Sequence, residues 1–176
     1  LGEIDKAISI TSQGVGLAKN NKLTSPVWLI YEGVPYLYSK MPEKAFPYFD
    51  FVSDIDPSNT WSIIGQTYKA LISGNIKKGS NLLLSLESRN IHDSEMIYRY
   101  THFYVMLNDY DNALMALEKS VDNGFFCFPY IKSDPLTKPL HDNPRFKQIL
   151  DRAKIRHELY EKRFGDEIRS LLGTTS

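Results

Sequence analysis

The chain has 176 residues, 42% of them hydrophobic, and its 21 Lys and Arg balance 21 Asp and Glu. A neutral chain has no bulk electrostatic reason to seek nucleic acid or anionic lipid, and this one is too apolar to stay disordered. The single cysteine, Cys127, excludes an intramolecular disulfide and any cysteine-based zinc site.

No apolar run approaches the roughly 18 residues that a membrane span needs, and no basic-then-apolar signal pattern opens the chain. The expectation is a cytoplasmic protein, or the cytoplasmic part of a larger one. Leu1 in place of Met points to a piece of something longer.

Taken in chain order, the elements repeat. Large apolar Leu29, Trp61 and Ile97 are each followed four positions later by a small residue, Gly33, Gly65 and Thr101, and three later again by Tyr36, Tyr68 and Tyr104. A second small position recurs at Ala45, Gly79 and Ala113, with Ala7 in an earlier fragment of the same pattern. A period near 34 residues with small positions at fixed places predicts pairs of antiparallel helices, their backbones touching at the small residues. Asp56-Pro57-Ser58-Asn59 reads as a helix end and a new cap. Gly74-Asn75 and Asn108-Asp109 read as tight turns. Ala113, Leu114, Leu117 and Val121 share one helical face. No period-two run suggests a strand, so the fold class is all-α, a solenoid.

These residues resemble the tetratricopeptide repeat family. The unit 94–124 carries the signature at Ile97, Tyr100, Thr101, Tyr104, Ala113, Leu117 and Ser120. The unit 58–93 carries it at Trp61, Ile64, Gly65, Tyr68, Gly79 and Leu83, with two extra residues around Ile72-Ser73. The unit 26–57 carries it at Gly33, Tyr36, Ala45, Phe49 and Pro57, with Pro35 and Pro47 expected to bend or shorten its helices. Residues 1–25 read as the second helix of a partial repeat. Residues 125–176 read as an aromatic and proline-rich connector followed by a capping helix. There Phe146, Ile149, Leu150, Ala153, His157, Tyr160 and Phe164 form one apolar face, and Asp134-Pro135 with Pro144-Arg145-Phe146 resembles the closing segment of bacterial members.

Catalytic motifs are absent. His157-Glu158 lacks the second histidine of a zinc-binding HExxH helix, Gly14-Val15-Gly16 lacks the rest of a phosphate loop, and Cys127 reads as core. No catalytic residue, metal ligand or cofactor is expected. The resemblance implies an interaction scaffold that takes a peptide or partner helix in a concave groove lined by first helices. Its candidates are Tyr38, Asn59, Ser62, Gln66, Lys69, Glu95, Tyr98 and His102. A basic stripe of Arg145, Arg152, Arg156 and Arg163 on the last helix is a second candidate face. The alternatives are a regulatory or sensory module of a bacterial transcriptional regulator or signalling enzyme and, against the motif evidence, a small-molecule enzyme.

Overall fold

The structure is a computed structural model that describes residues 25–171 together with Lys6, Ser9, Ile10 and Gln13. The partial repeat expected over 1–25 and the Gly14-Val15-Gly16 segment fall essentially outside the described residues. Every regular element described is helical: α1 Pro26–Tyr38, α2 Pro42–Ile55, α3 Thr60–Ile72, α4 Ile76–Glu87, α5 Ser94–Met106, α6 Tyr110–Asp122, the short α7 Phe128–Ser133, a 3-10 helix Pro135–Leu140, and α8 Pro144–Leu171. Consecutive helices pair as α1/α2, α3/α4 and α5/α6, and the first helices α1, α3 and α5 also touch their neighbours in sequence. The fold is an all-α helical-repeat solenoid.

The period is strict. First helices open at Pro26, Thr60 and Ser94, and second helices at Pro42, Ile76 and Tyr110, each 34 residues after the last. The turns repeat with them. Lys40, Gly74 and Asn108 all adopt positive φ, at 57°, 75° and 59°. After each, the next residue's N–H returns to a carbonyl five positions back: Met41 to Tyr36, Asn75 to Ala70, Asp109 to Tyr104. Such a left-handed residue closes a helix by satisfying carbonyls that have lost their intrahelical donors. Side-chain caps open the later helices: Asn59 accepts from the Trp61 N–H, Asn75 from Lys78, Asp93 from Met96 and Asp109 from Asn112.

Three expectations change. The two extra residues around Ile72-Ser73 do not exist, because α3 has the same 13-residue length as α1 and α5. The true equivalents of Leu29 and Ile97, Gly33 and Thr101, and Tyr36 and Tyr104 are Ile63, Thr67 and Ala70. Trp61, Gly65 and Tyr68 imitate the signature two positions early. Second, Pro35 and Pro47 do not shorten their helices, which run 13 and 14 residues. Pro47 and the carbonyl-bearing Glu43 it leaves unpaired are both exposed, so water can take the lost bond. Third, Cys127 is exposed, at the start of α7, rather than core.

The core forms two clusters along the array. Leu29, Ile30, Ala45, Phe49, Ile64, Tyr68, Leu83, Leu86 and Phe103 join the first two units to α5. A second cluster sets Ala113, Leu114, Leu117 and Val121 of α6 against Ile131, Leu140, Phe146, Ile149 and Ala153. The last helix therefore covers the array's end with its first three turns. Beyond Ala153 its apolar face is only partly used. Tyr160 packs on Phe126 at 4.9 Å yet remains exposed, and His157 and Phe164 are only half-buried.

Candidate interaction surface

The two-residue slip in α3 matters for function, because two residues turn a helix by about 200°. Three of the middle unit's four groove candidates consequently face the preceding helix α2. Ser62 Oγ donates to the Val52 carbonyl at 2.8 Å, and Gln66 Nε2 donates to the Phe49 carbonyl at 2.9 Å. Lys69 Nζ contacts the Asp50 carboxylate at 2.5 Å, and Asn59 is spent capping α3. These polar side chains bind one unit to the next, leaving a partner little to use.

On α5 the candidate side chains are covered. Tyr98 and His102 are fully buried and Arg99 nearly so. Residues 125–140 lie over them and centre on Asp134, itself buried. Asp134 Oδ2 accepts from Tyr98 Oη at 2.9 Å, from His102 Nε2 at 2.8 Å and from Tyr38 Oη on α1 at 3.3 Å, while Oδ1 accepts from the Leu136 N–H at 2.8 Å. Burial alone would raise the Asp134 pKa. His102 beside it and these donated hydrogen bonds outweigh burial and hold the carboxyl below the usual carboxylate range. An ionised Asp134 only accepts, so His102 donates to it through Nε2, while His102 Nδ1 pairs with the Tyr68 hydroxyl, donor or acceptor, 2.5 Å away. Burial pushes the Tyr68 hydroxyl pKa far up, which keeps it protonated.

Further contacts tie the same segment to α1 and α5. Tyr130 and Tyr38 share a hydroxyl–hydroxyl bond, and Arg99 Nη1 donates to Tyr130 Oη at 3.2 Å. Arg99 Nη2 reaches Glu95 at 2.6 Å, and Glu95 in turn accepts from Tyr31 Oη on α1 at 2.5 Å. Arg99 Nε remains buried without a partner. Tyr38, Glu95, Tyr98 and His102 are thus brought together, in one internal network rather than along an open groove.

What stays accessible on the first-helix layer is its edge at the helix starts. Trp28 is 56% exposed. Its ring meets Tyr31 at 6.1 Å, and Tyr31 meets Trp61 on α3 at the same 6.1 Å. Tyr31, Trp61 and Glu95 are half-buried. The row is hard to see in the sequence because Trp61 imitates the packing position that Ile63 occupies.

The basic stripe is engaged at its near end. Arg145 and Arg152 both contact Glu118, at 2.6 and 2.7 Å, and these two guanidinium groups lower the Glu118 pKa. Arg156 Nη1 donates to the Val121 carbonyl at 2.5 Å, and its Cζ lies 4.4 Å from the Phe126 ring centroid, holding the end of α6. Arg163 lies over its neighbour Phe164. Among the described residues no group of His, Cys, Asp or Glu could hold a metal ion. Among them, too, no helix is long and apolar enough to cross a membrane.

No protein-family model and no curated protein matches the sequence. Among solved structures the chain is similar to the crystal structure of MamA, with 18% identity, 92% of each chain covered and a TM-score of 0.47.

Proposed function

We propose that the chain is a non-catalytic protein–protein interaction module whose partner, a peptide or a helix, docks along the edge of the first-helix layer. The observation that supports this most is the row Trp28, Tyr31 and Trp61, which runs across two repeat units, with Glu95 of the third bonded to its middle ring, Tyr31. Aromatic side chains give a partner large contact area at low entropic cost, which is why they are enriched at interfaces. Apolar residues exposed singly need no explanation, whereas rings aligned across successive units offer a continuous strip.

The non-catalytic part rests on access. Among the described residues the triad-like arrangement Tyr68–His102–Asp134 is wholly buried, and every member has its partners inside the fold. Direct nucleic-acid binding is disfavoured by the balanced charge and by the pairing of Arg145 and Arg152 with Glu118.

A photo-crosslinking amino acid placed at Trp28 or Trp61 tests the reading in the native cell. Crosslinking to the same protein from both positions, but not from Lys77 on α4, is the expected result. Equal labelling from all three positions, or none from the first two, would refute it.

A further inference from the structure

We propose that residues 125–140 form a removable strap, an internal ligand that covers the α5 part of the first-helix face and opens without unfolding the array. This rests on the first-helix layer being the interaction face, and it adds a means of regulating how much of that face is available.

Four observations carry it. The strap is attached to α1 and α5 by side chains: Asp134 takes Tyr38, Tyr98 and His102, and Tyr130 takes Tyr38 and Arg99. Its own backbone bonds are local. Among the described residues the N–H groups of Ile131, Thr137 and His141 return to Cys127, Asp134 and Lys138, and none reaches α1 or α5. Three prolines, Pro129, Pro135 and Pro139, further lower its supply of backbone donors.

The fit is also incomplete. Arg99 is 2% exposed, yet its Nε has no partner beneath the strap, so the face retains a donor that its internal ligand does not use. Finally, both ends of the strap are fixed by other means. Phe125 N–H bonds to the Ser120 carbonyl just after Gly124, whose φ is +121°. On the far side, Phe146, Ile149 and Ala153 pack α8 on α6. The strap's own Ile131 and Leu140 share that cluster, so opening withdraws them from α8 while Phe146, Ile149 and Ala153 stay against Ala113, Leu114, Leu117 and Val121 of α6, and the freed 16-residue loop recovers chain entropy.

Opening means that the buried Ile131 and Leu140 leave their places while α1 to α6 keep theirs. That is a sub-global event, distinct from global unfolding. The exchangeable contacts are the polar ones, which another segment bearing equivalent groups can replace one for one.

The test uses the whole chain. Native-state hydrogen exchange should show the amides of Ile131, Leu136 and Thr137 exchanging at least about 100-fold faster than those in the centres of α3 and α5. Asp134→Asn, or the milder Tyr38→Phe should the first not fold, should raise strap exchange a further tenfold and leave α3 unchanged. A fluorescent peptide of residues 125–140 should then bind the variant at least tenfold more tightly than the native chain, and lose that binding when the peptide's own Asp134 is replaced by Asn.

Strap amides that exchange only with the α5 core would overturn the proposal, as would a peptide that binds both chains equally or neither. The crosslinking at Trp28 and Trp61 reads a different part of the face. A closed strap with intact crosslinking defeats the strap alone, and lost crosslinking with an opening strap defeats the interaction reading alone.

Discussion

Replacing Gly33 by alanine tests the claim that helix pairs touch at their small residues. A Cβ built on Gly33 lies 2.5 Å from Phe49 Cε1, 3.0 Å from Cζ and 3.2 Å from Cδ1. Comfortable carbon contacts are about 3.5–4.0 Å, so the Phe49 ring must retreat by about 1 Å. It has nowhere open to go. Phe49 is fully buried and stacks on Tyr68 at 5.8 Å, and Tyr68 meets Phe103 edge-on at 4.7 Å while bonding His102. Overpacking of this kind costs about 1–3 kcal/mol, and the rigidity of the surroundings puts Gly33 near the upper end. Alanine in a helix interior returns about 1 kcal/mol relative to glycine. The net loss is then about 1–2 kcal/mol, a fall in Tm of about 2–8 °C for a chain of this size. Thermal unfolding followed by circular dichroism measures it. In a Phe49→Leu background the same substitution should cost measurably less, because the obstructing ring is gone. A Gly33→Ala chain that melts at or above the parent temperature would refute the packing argument.

The other expected outcomes follow the same reasoning. Ala113→Leu puts a large side chain at a fully buried position in the first turn of α6 and should cost about 1–3 kcal/mol in urea unfolding; an unchanged midpoint would break the repeat register. Limited trypsin digestion should trim α8 at the exposed Lys162 and Arg163 and leave the melting temperature unaltered, whereas deletion from Asp142 onward should uncover Leu114, Leu117 and Val121 and cause aggregation. The pH dependence of stability should single out Asp134. Its folded pKa lies below its ordinary value, so its contribution is complete above about pH 4 and is lost as the pH falls through the folded pKa. The stability gap between the native chain and Asp134→Asn should therefore stay constant from neutral pH down to about pH 4 and close below it. A gap that closes between pH 6 and 8 would assign the effect to another group.

Much of the architecture was legible in the sequence because its signals are local. Small residues at Ala45, Gly79 and Ala113 mark helix contacts, and Gly74 and Asn108 mark turns needing positive φ. The identity of the large residues was less reliable. Trp61, Gly65 and Tyr68 satisfy a large–small–aromatic spacing as well as Ile63, Thr67 and Ala70 do, and they are the more conspicuous set. Only the turn geometry, counted back from Gly74, separates them. The prolines misled in the other direction, since nothing local says whether a freed carbonyl such as that of Glu43 faces water or core.

The internal network was illegible for a different reason. Asp134 lies 32 residues from His102 and 96 from Tyr38, and no periodicity links them. One clue was nevertheless present. The α5 sequence SEMIYRYTHFYVM has aromatic or bulky residues on every side, and a helix with no clearly polar face is one that is covered all round.

The last unit differs from the others because of what lies on it. At equivalent places α1 has Ile30 and Val34, α3 has Ile64 and Tyr68, and α5 has Tyr98 and His102. Along the array the face changes from apolar to hydrogen-bonding. Ile30 and Ile64 are buried among neighbouring units, where a hydroxyl or imidazole would lose water without gaining a partner. Tyr98 and His102 are as deeply buried, but under a segment that carries a carboxylate to meet them. Neither side of that pairing is tolerable without the other. Removing Asp134 strands two buried donors, and removing the donors strands a buried charge. The α5 residues and the strap therefore specify one another, and the chain ends its repeats by changing the chemistry of the covered face as well as by adding a final helix.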